Sequence, residues 1–365
     1  MSGTFRVGLV GLSPISGDRM PAMGKACLGT LMPTSHASAY HFVDDTRIVA
    51  VCDVLPGLIE GFQSTWKDVL PAVEGYDDYR TMLANEDLDI VSVVTGDHLH
   101  AQIVIDAAEA GVKGIICEKP IATSLTDADR MITAVKGAGI PMLINHTRRW
   151  LSPWVQVSEA IDSGVIGKVL RIVVQAGGER AMWLRNGTHL IDLMVWYADS
   201  NMQAVYALPE EQLPGYGPRY AGDGGKDSRT DPAISGLVEF NNGVRGFINM
   251  DKRAPAFFEI QVWGTQGRIV ANNQSAPYPS SLYSEEARIV THHETRGTQT
   301  AGLPHQNSTH SGLAGCVTEM VHLVQHGGEP SSSGLDARKT LEILVGALQS
   351  QASHGVRMEA PISDS

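Results

Sequence analysis

Short apolar runs alternate with amphipathic stretches over about the first 145 residues of the chain. The apolar runs, rich in Val and Ile, are FRVGLVGL, TRIVAVCD, LDIVSVVTG, KGIICEKP and PMLINH, and each predicts a strand. The stretches between them predict helices: HASAYHF, LIEGFQSTW, YDDYRTMLAN, HAQIVIDAAEAG and LTDADRMITAVKGAG. Strands that are apolar throughout are typical of a parallel sheet covered on both faces. The pattern therefore predicts an α/β, Rossmann-type doubly wound parallel sheet.

The pattern changes after Trp150, where strands and helices no longer alternate. A helix (VQVSEAIDSG), a strand (KVLRIVVQAG) and a helix near residues 187–198 come first. The segments ISGLVEFNNGVRGFINMDK and FFEIQVWGTQGRIVANN then each predict a β-hairpin, with turns at Asn-Asn-Gly and Gly-Thr-Gln-Gly. Sequential hairpins form an antiparallel sheet, so the second half is predicted to be an α+β domain with a mainly antiparallel open sheet.

Residues 274–311 show no periodicity, and we interpret them as a long polar loop with a functional or interface role. Helices are predicted near residues 312–326 and 336–353. The predicted domains are residues 1–148, which bind the cofactor, and residues 149–365, which bind substrate and form oligomer contacts.

Length, composition and charge narrow the class of protein. With 365 residues the chain is long enough for two domains, and 43% hydrophobic and 19% charged residues are typical of globular proteins. A net charge of −12 disfavours nucleic acids and anionic membranes as partners. We find no signal peptide and no apolar run near the roughly 18 residues that span a bilayer. The four cysteines form no C-x-x-C pair, so we expect a cytoplasmic protein with reduced thiols.

The first strand leads into VGLVGLSPISGDRM, which departs from a dinucleotide-binding loop. Gly11 is in place for the tight turn, but Ser13 and Ser16 occupy positions where the usual pattern has glycine. We expect the pyrophosphate to be held by backbone N–H groups near Ser13 and Ile15.

An insertion at residues 14–33 delays the next predicted helix. Thr34 and Ser35 are expected to cap that helix and to offer hydroxyl groups to phosphate. The insertion, with Arg19, Lys25 and several Met and Leu residues, is expected to fold over the cleft or to pack on a neighbouring subunit.

The second strand ends in Asp53, where an acidic residue reads the diol of the adenosine ribose. The alternative is that Asp53 is simply a turn residue at a strand end. Because Val54-Leu55-Pro56 offers no cation to a 2′-phosphate, the sequence favours NAD over NADP.

Four motifs then resemble one family, the glucose–fructose oxidoreductase, inositol dehydrogenase and rhizopine-catabolism (Gfo/Idh/MocA) oxidoreductases. They are VVTGDHLHAQIVIDAAEAGVKGIICEKPIA, NHTRRWLSPWVQVSEAIDSGVIGKVLRI, NGTHLIDLMVWYA and EPSSSGLDARKTLEILVGALQSQASHGVRM. The resemblance covers most of the chain, apart from roughly residues 14–33 and 274–311.

The resemblance implies that Lys119, within Glu-Lys-Pro, is the catalytic lysine beside the nicotinamide, and that His189 is the catalytic histidine. The position of Lys119 at the end of a predicted strand agrees, because ligands bind at the carboxyl ends of parallel strands. The family usually has an aspartate four residues before that histidine, and this chain has Arg185. Arg185 would instead bind a substrate carboxylate or phosphate, or the proton relay runs differently.

The resemblance also implies the remaining site residues. The turn after the third parallel strand is expected to line the cofactor, with further cofactor contacts from the Glu-Lys-Pro motif and the domain junction. The predicted substrate contacts come from the junction and the histidine helix, although a structural role for Asp192 and a packing role for the others are open alternatives. No metal is expected, because no third ligand lies near His98 and His100. The cofactor set is Thr95, Gly96, Asp97, His100, Glu118 and Asn145, and the substrate set is Arg149, Trp183, Arg185 and Asp192.

These features predict an NAD-dependent oxidoreductase that transfers a hydride between nicotinamide and a secondary hydroxyl of a sugar, a cyclitol or a related compound. Two alternatives are compatible with the same residues. One is an NAD-retaining glycosidase or epimerase that works through transient oxidation, and the other is a non-catalytic NAD-binding sensor. A homodimer or homotetramer is expected.

Overall fold

The computed structural model describes residues 4–19, 26–27, 30–31, 33–210, 216–220, 227–275, 283–293, 297–303 and 311–364. The chain divides into two compact units, Met1–Trp150 with Asn307–Leu335, and Leu151–Gln306 with Asp336–Ser365. The first boundary lies two residues from the predicted 148/149. The return of residues 307–335 to the first unit is a feature that the sequence-based division did not include. Among the described residues, no helix is long and apolar enough to cross a membrane.

The helices and strands are numbered separately, each set in chain order. The helices are α1 (Pro14–Gly17), α2 (His36–Phe42), α3 (Pro56–Trp66), α4 (Tyr79–Asn85), α5 (His100–Glu109), α6 (Leu125–Ala138), α7 (Ser152–Asp162), α8 (Thr188–Ala198), α9 (Leu313–His326) and α10 (Gly334–Ala352). The strands are β1 (Phe5–Val10), β2 (Ala26–Cys27), β3 (Thr30–Leu31), β4 (Thr46–Cys52), β5 (Glu74–Tyr76), β6 (Ile90–Val93), β7 (Gly114–Cys117), β8 (Met142–Ile144), β9 (Val169–Gly177), β10 (Met202–Pro209), β11 (Ile234–Phe240), β12 (Arg245–Asp251), β13 (Phe257–Gly264), β14 (Gly267–Ser275), β15 (Tyr283–His293), β16 (Gly297–Gly302) and β17 (Met358–Glu359).

The first unit contains a six-stranded sheet in the order β5-β4-β1-β6-β7-β8, with every neighbouring pair parallel. The strands β6 and β7 are buried along their whole length, as their apolar sequences predict. The chain changes direction between β1 and β6, and ligands of doubly wound sheets bind at the carboxyl ends of the strands beside such a point. The predicted Rossmann-type fold is confirmed.

The core of the first unit includes a helix from near the end of the chain. Val7, Leu9 and Ile116 of the sheet belong to one buried apolar cluster with Val317 and Met320 of α9. Burial of this apolar face explains why α9 returns to the first unit although the chain has already passed through the second.

The second unit contains a nine-stranded sheet in the order β16-β15-β14-β13-β9-β12-β11-β10-β17. All neighbours are antiparallel except β9 and β12, so the predicted α+β domain with a mainly antiparallel sheet is confirmed. The helices α7 and α8 lie against this sheet, on β14, β15 and β9.

The prediction of a long polar loop at residues 274–311 is wrong for the residues that form β15 and β16. These two strands pair with each other, and β15 pairs with β14. Every residue of β16 is exposed, so the strand carries no apolar alternation from which its structure could be predicted. Residues 276–282, 294–296 and 304–310 of the predicted loop lie outside the described residues.

Candidate functional site

The turn after β1 needs glycine at residue 11. Gly11 has a φ of +91°, and a Cβ atom there would lie 2.8 Å from the backbone carbon and oxygen of Val94. No side chain fits against backbone atoms at this distance, so Gly11 lets the end of β1 approach the end of β6 closely. This contact lies where the strand order reverses and where a dinucleotide is expected to bind.

Two hydroxyl groups in the loop after Gly11 fit a phosphate ligand. The four-residue helix α1 follows directly after Ser13. The side-chain oxygens of Ser13 and Ser16 are buried, and neither has a hydrogen-bond partner among the described residues. Buried hydroxyls normally have a partner, and a phosphate group offers acceptors of the kind that these two hydroxyls lack. The predicted contacts of phosphate with the N–H groups of Ser13 and Ile15 stay a prediction.

The carboxylate of Asp53 is held against the same loop. Its Oδ2 atom accepts the N–H of Leu12 at 2.8 Å, and its Oδ1 atom accepts the N–H of Leu55 at 2.9 Å. Each carboxylate oxygen can accept a further hydrogen bond. The half-exposed Asp53 is therefore a turn residue whose carboxylate can still accept further hydrogen bonds, so the two interpretations are compatible, and its contact with a ribose diol stays a prediction.

The described start of the insertion packs on α3. The guanidinium of Arg19 bonds both carboxylate oxygens of Asp68, at 2.6 and 3.0 Å, and lies over the ring of Trp66. The indole N–H of Trp66 donates to the carbonyl of Gly17 at 2.8 Å. Residues 20–25, 28–29 and 32, on which the expected fold over the cleft depends, lie outside the described residues.

Ser35 caps α2 as predicted, because its hydroxyl accepts the N–H of Ser38 at 3.1 Å. The same hydroxyl donates to the carbonyl of Asp18, and Ser35 is fully buried. This side chain holds the chain at residue 18, and its hydroxyl is engaged by the protein itself rather than offered to phosphate.

The turn after β6 brings together the predicted cofactor residues Thr95, Gly96, Asp97 and His100. A single 3₁₀ turn, Asp97–Leu99, leads into α5. His100 is fully buried, and its Nδ1 and Nε2 atoms lie 3.0 Å from the carbonyl oxygen of Pro120 and 3.2 Å from that of Thr95. We therefore expect His100 to hold the cofactor-lining turn rather than to contact NAD.

Glu118 and Asn145 contact each other beside Lys119. The Nδ2 atom of Asn145 donates to Glu118 Oε1 at 2.6 Å, and Glu118 Oε2 accepts the N–H of Lys119 at 3.3 Å. Glu118 and Asn145 are buried and Lys119 is half-buried. The lysine therefore follows directly on a buried polar cluster at the carboxyl end of β7, two strands along the sheet from β1.

A residue that the sequence analysis did not select completes this cluster. His36 of α2 is fully buried, and its Nε2 atom lies 3.0 Å from Glu118 Oε1. Burial alone would raise the pKa of Glu118, but the hydrogen bond and charge of His36, the charge of Lys119 and the Asn145 amide outweigh burial and lower the pKa to about 2. The sequence gives little signal for His36, because α2 (HASAYHF) carries further polar side chains at Ser38, Tyr40 and His41.

In the second unit, His189 and Arg185 are both half-buried near the start of α8. Arg185 lies in a π-helical turn, Trp183–Gly187, which runs directly into α8. Asp231, also missed by the sequence analysis, is buried and its carboxylate accepts the N–H groups of Leu184 and Arg185, both at 2.9 Å. Asp231 therefore fixes the turn that precedes His189.

The other predicted substrate residues are buried. Trp183 is 0% exposed and its indole N–H donates to the carbonyl of Leu344 at 3.1 Å, so we assign its ring to packing in the second unit. Asp192 is also 0% exposed, one turn after His189. Arg149, in the first unit, is buried and donates to the carbonyl of Ser331 at 2.9 Å. Substrate contacts of Arg149 and Asp192 stay predictions. Within the described residues, no group of three or more His, Cys, Asp or Glu side chains could hold a metal ion.

Comparison with known proteins gives the family. The family model described as the oxidoreductase family with an NAD-binding Rossmann fold matches residues 5–146, and the GFO/IDH/MocA C-terminal domain matches residues 154–270. The chain is 27% identical over 275 residues to myo-inositol 2-dehydrogenase from Thermotoga maritima, a match that covers 70% of this chain and 75% of that one.

Two further proteins support the match. D-apiose dehydrogenase from Paraburkholderia graminis is 26% identical over 342 residues, covering 85% of this chain and 82% of its own. Levoglucosan dehydrogenase in complex with NADH and L-sorbose shares the fold, with a TM-score of 0.74 at 22% identity over 98% of this chain and 99% of that one. On the matches to both of its domains, the chain belongs to the GFO/IDH/MocA family of NAD-binding oxidoreductases.

Proposed function

We propose that this protein is an NAD-dependent dehydrogenase that oxidises a secondary hydroxyl of a sugar, a cyclitol or a related compound. The observation that carries the proposal is Lys119, a half-buried amine that follows a buried, hydrogen-bonded Glu118 at the carboxyl end of β7. Its relatives from Thermotoga maritima and Paraburkholderia graminis are dehydrogenases of myo-inositol and D-apiose, which are polyhydroxylated compounds.

Lys119 would act as the base that takes the proton of the substrate hydroxyl, and as the acid that returns it in the reverse reaction. His189 would hold the hydroxyl oxygen by a hydrogen bond and assist the proton transfer. NAD supplies the acceptor for the hydride that leaves the carbinol carbon. Ser13, Ser16 and Asp53 would hold the cofactor, and the absence of a cation at residues 54–56 favours NAD over NADP.

The side chain of Arg185 suggests which class of substrate the protein accepts. Its guanidinium carries a permanent positive charge and pairs well with a carboxylate or a phosphate. We propose that Arg185 binds such a group, so that acidic sugars are better substrates than neutral polyols.

The test is a panel of inositols, aldoses, sugar acids and sugar phosphates incubated with NAD, with NADH followed by its absorbance. We expect stoichiometric NADH with at least one member of the panel, and NADH formation slowed by about 10²- to 10⁴-fold with Lys119→Ala under the same conditions. Glycosidic cleavage or epimerisation without net NADH would instead support the NAD-retaining alternative. NAD binding without turnover of any compound would support the sensor.

We also propose a homodimer or homotetramer. Exposed and buried residues alternate along β12, so one face of its sheet is open, and it carries exposed Phe247 and, on β13, exposed Trp263. Exposed aromatic groups on an open sheet face are typical of association surfaces. Light scattering of the native protein and of Phe247→Arg tests this, and a monomeric native protein would contradict it.

We propose a cytoplasmic location because three of the cysteine side chains are free thiols. Cys52, Cys117 and Cys316 are buried free cysteines, which fit a reducing compartment. Fractionation of the producing cell tests the location, and recovery outside the cytoplasm would contradict it.

A further inference from the structure

Two buried histidines flank the turn that carries Lys119. His36 lies in α2 and His100 at the start of α5, and both side chains are fully removed from solvent. Neither has a role in the proposed chemistry. A buried imidazole must be hydrogen-bonded to be tolerated, so the partners of the two rings show what the rings do.

His36 is bonded on both ring nitrogens. Its Nε2 atom lies 3.0 Å from Glu118 Oε1, and its Nδ1 atom lies 3.2 Å from the hydroxyl oxygen of Ser92. The Ser92 hydroxyl in turn lies 2.8 Å from the hydroxyl of Tyr40, one turn along α2. This buried chain of polar groups ends on the carboxylate of Glu118, which accepts the backbone N–H of Lys119.

His100 holds the other side of the same turn. Its Nδ1 atom lies 3.0 Å from the carbonyl oxygen of Pro120, directly after Lys119, and its Nε2 atom lies 3.2 Å from the carbonyl oxygen of Thr95. Carbonyl oxygens only accept, and a neutral ring has one N–H, so only the doubly protonated ring donates to both at once. The doubly protonated ring ties Pro120 to the turn that ends β6, and a neutral ring with its proton on Nδ1 still donates to Pro120.

The helix that bears His36 also contacts the loop of the cofactor site. The hydroxyls of Ser35 and Ser38 donate to the carbonyl of Asp18, which follows α1. Helix α2 therefore contacts both the loop that carries Ser13 and Ser16 and the carboxylate of Glu118.

We propose that His36 and His100 are positioning residues for Lys119, with His36 fixing Glu118 on one side and His100 fixing Pro120 on the other. This rests on the proposed catalytic role of Lys119. An imidazole suits both positions because it can donate a hydrogen bond, to the carboxylate of Glu118 in one case and to the carbonyl of Pro120 in the other. A hydrophobic residue in place of His36 or His100 would fill the space and leave that oxygen without its donor. An amine displaced by about 1 Å from its reacting geometry loses on the order of 10²-fold in rate.

The first test needs no cofactor. Lysines of the apo protein are acetylated with an N-hydroxysuccinimide ester across a range of pH, and labelling at Lys119 is quantified by peptide mass spectrometry against exposed Lys67. Glu118→Gln sets the reference, because removal of the carboxylate charge destabilises the ammonium form and lowers the pH midpoint of labelling at Lys119.

His36→Leu removes the donor and His36→Gln keeps an N–H group, so the two form a matched pair. Glu118 stays ionised at the pH where a lysine titrates, with or without His36, so only Glu118→Gln is expected to shift the midpoint. We expect His36→Leu to raise the rate of labelling at Lys119 relative to Lys67 by about twofold or more, because Glu118 is no longer held in place, and His36→Gln to keep the native rate. Should His36→Leu not fold, Ser92→Ala keeps the imidazole, removes the shared partner of its Nδ1 atom and of the Tyr40 hydroxyl, and is expected to raise the labelling rate by less.

The second test uses the holoenzyme with a substrate from the panel. His36→Leu and His100→Leu are expected to lower kcat by about 10²-fold, a much larger effect than on Kd for NAD, and the matching Gln variants to restore most of the rate. A native-like labelling rate in His36→Leu together with native-like kcat values in both Leu variants would overturn this proposal. If the proposed function itself is wrong, the outcome differs: Lys119→Ala forms NADH at the native rate.

Discussion

Removal of the Glu118 charge gives the sharpest prediction for stability. Glu118 is buried, and its pKa falls from 4.5 to about 2 in the folded protein because His36, Lys119 and Asn145 together outweigh burial. A group with a lowered pKa stabilises the fold fully above its unfolded value, and that stabilisation is lost as the pH falls towards the folded value. The window for Glu118 is therefore from about pH 4.5 down to pH 2.

The magnitude follows from the two pKa values. At about 1.4 kcal/mol per pH unit, the charged form of Glu118 contributes about 3 kcal/mol to the free energy of unfolding at pH 7. About half of this remains at pH 3, because one unit then separates the pH from the folded pKa.

The assay is urea denaturation of the native protein and of Glu118→Gln between pH 7 and pH 3, followed by circular dichroism. We expect the difference in unfolding free energy between them to shrink by about 1.5 to 2 kcal/mol over this range. Glu60→Gln, at an exposed position of α3, controls for the change of charge itself. A difference between native and Glu118→Gln that stays constant from pH 7 to pH 3 would refute the reasoning.

Three further variants test the cofactor loop and the turn before α8. Asp53→Ala is expected to reduce the preference for NAD over NADP in calorimetric titrations. Equal affinities of the native protein for NAD and NADP would contradict the proposed contact of Asp53 with the ribose diol. Gly11→Ala places a side chain on a residue with a left-handed φ, which destabilises the fold by about 1–2 kcal/mol, and the new Cβ atom also clashes with the backbone of Val94. We therefore expect a lower melting temperature and weaker NAD binding. Asp231→Ala leaves two backbone N–H groups without their acceptor, and should lower kcat while NAD affinity, measured by fluorescence, stays native.

The sequence predicted the first unit well because its signals are local. Strands such as β6 and β7 are apolar throughout, and a short apolar run flanked by helices has few other interpretations. Gly11, Asp53 and Lys119 are candidates for a similar reason, since each lies near the carboxyl end of a predicted strand, and their roles stay predictions.

Features that depend on distant parts of the chain were not predicted. The contact of His36 with Glu118 joins residues 82 positions apart, and that of Asp231 with Leu184 joins residues 47 positions apart. The fully exposed strand β16 is stabilised by pairing with β15, which its own composition does not show. Trp183 was selected for its chemistry and proved to be fully buried, because an aromatic side chain that suits a ligand suits a core equally well.

Transfer of deuterium from the carbinol carbon of the substrate to the cofactor tests the central claim most directly. With a substrate deuterated at the oxidised carbon, the native protein is expected to form NADH that carries the label on its nicotinamide ring. Lys119→Ala should lower the rate of this transfer by about 10²- to 10⁴-fold while NAD still binds. Unlabelled NADH, or transfer by Lys119→Ala at the native rate, would contradict the account.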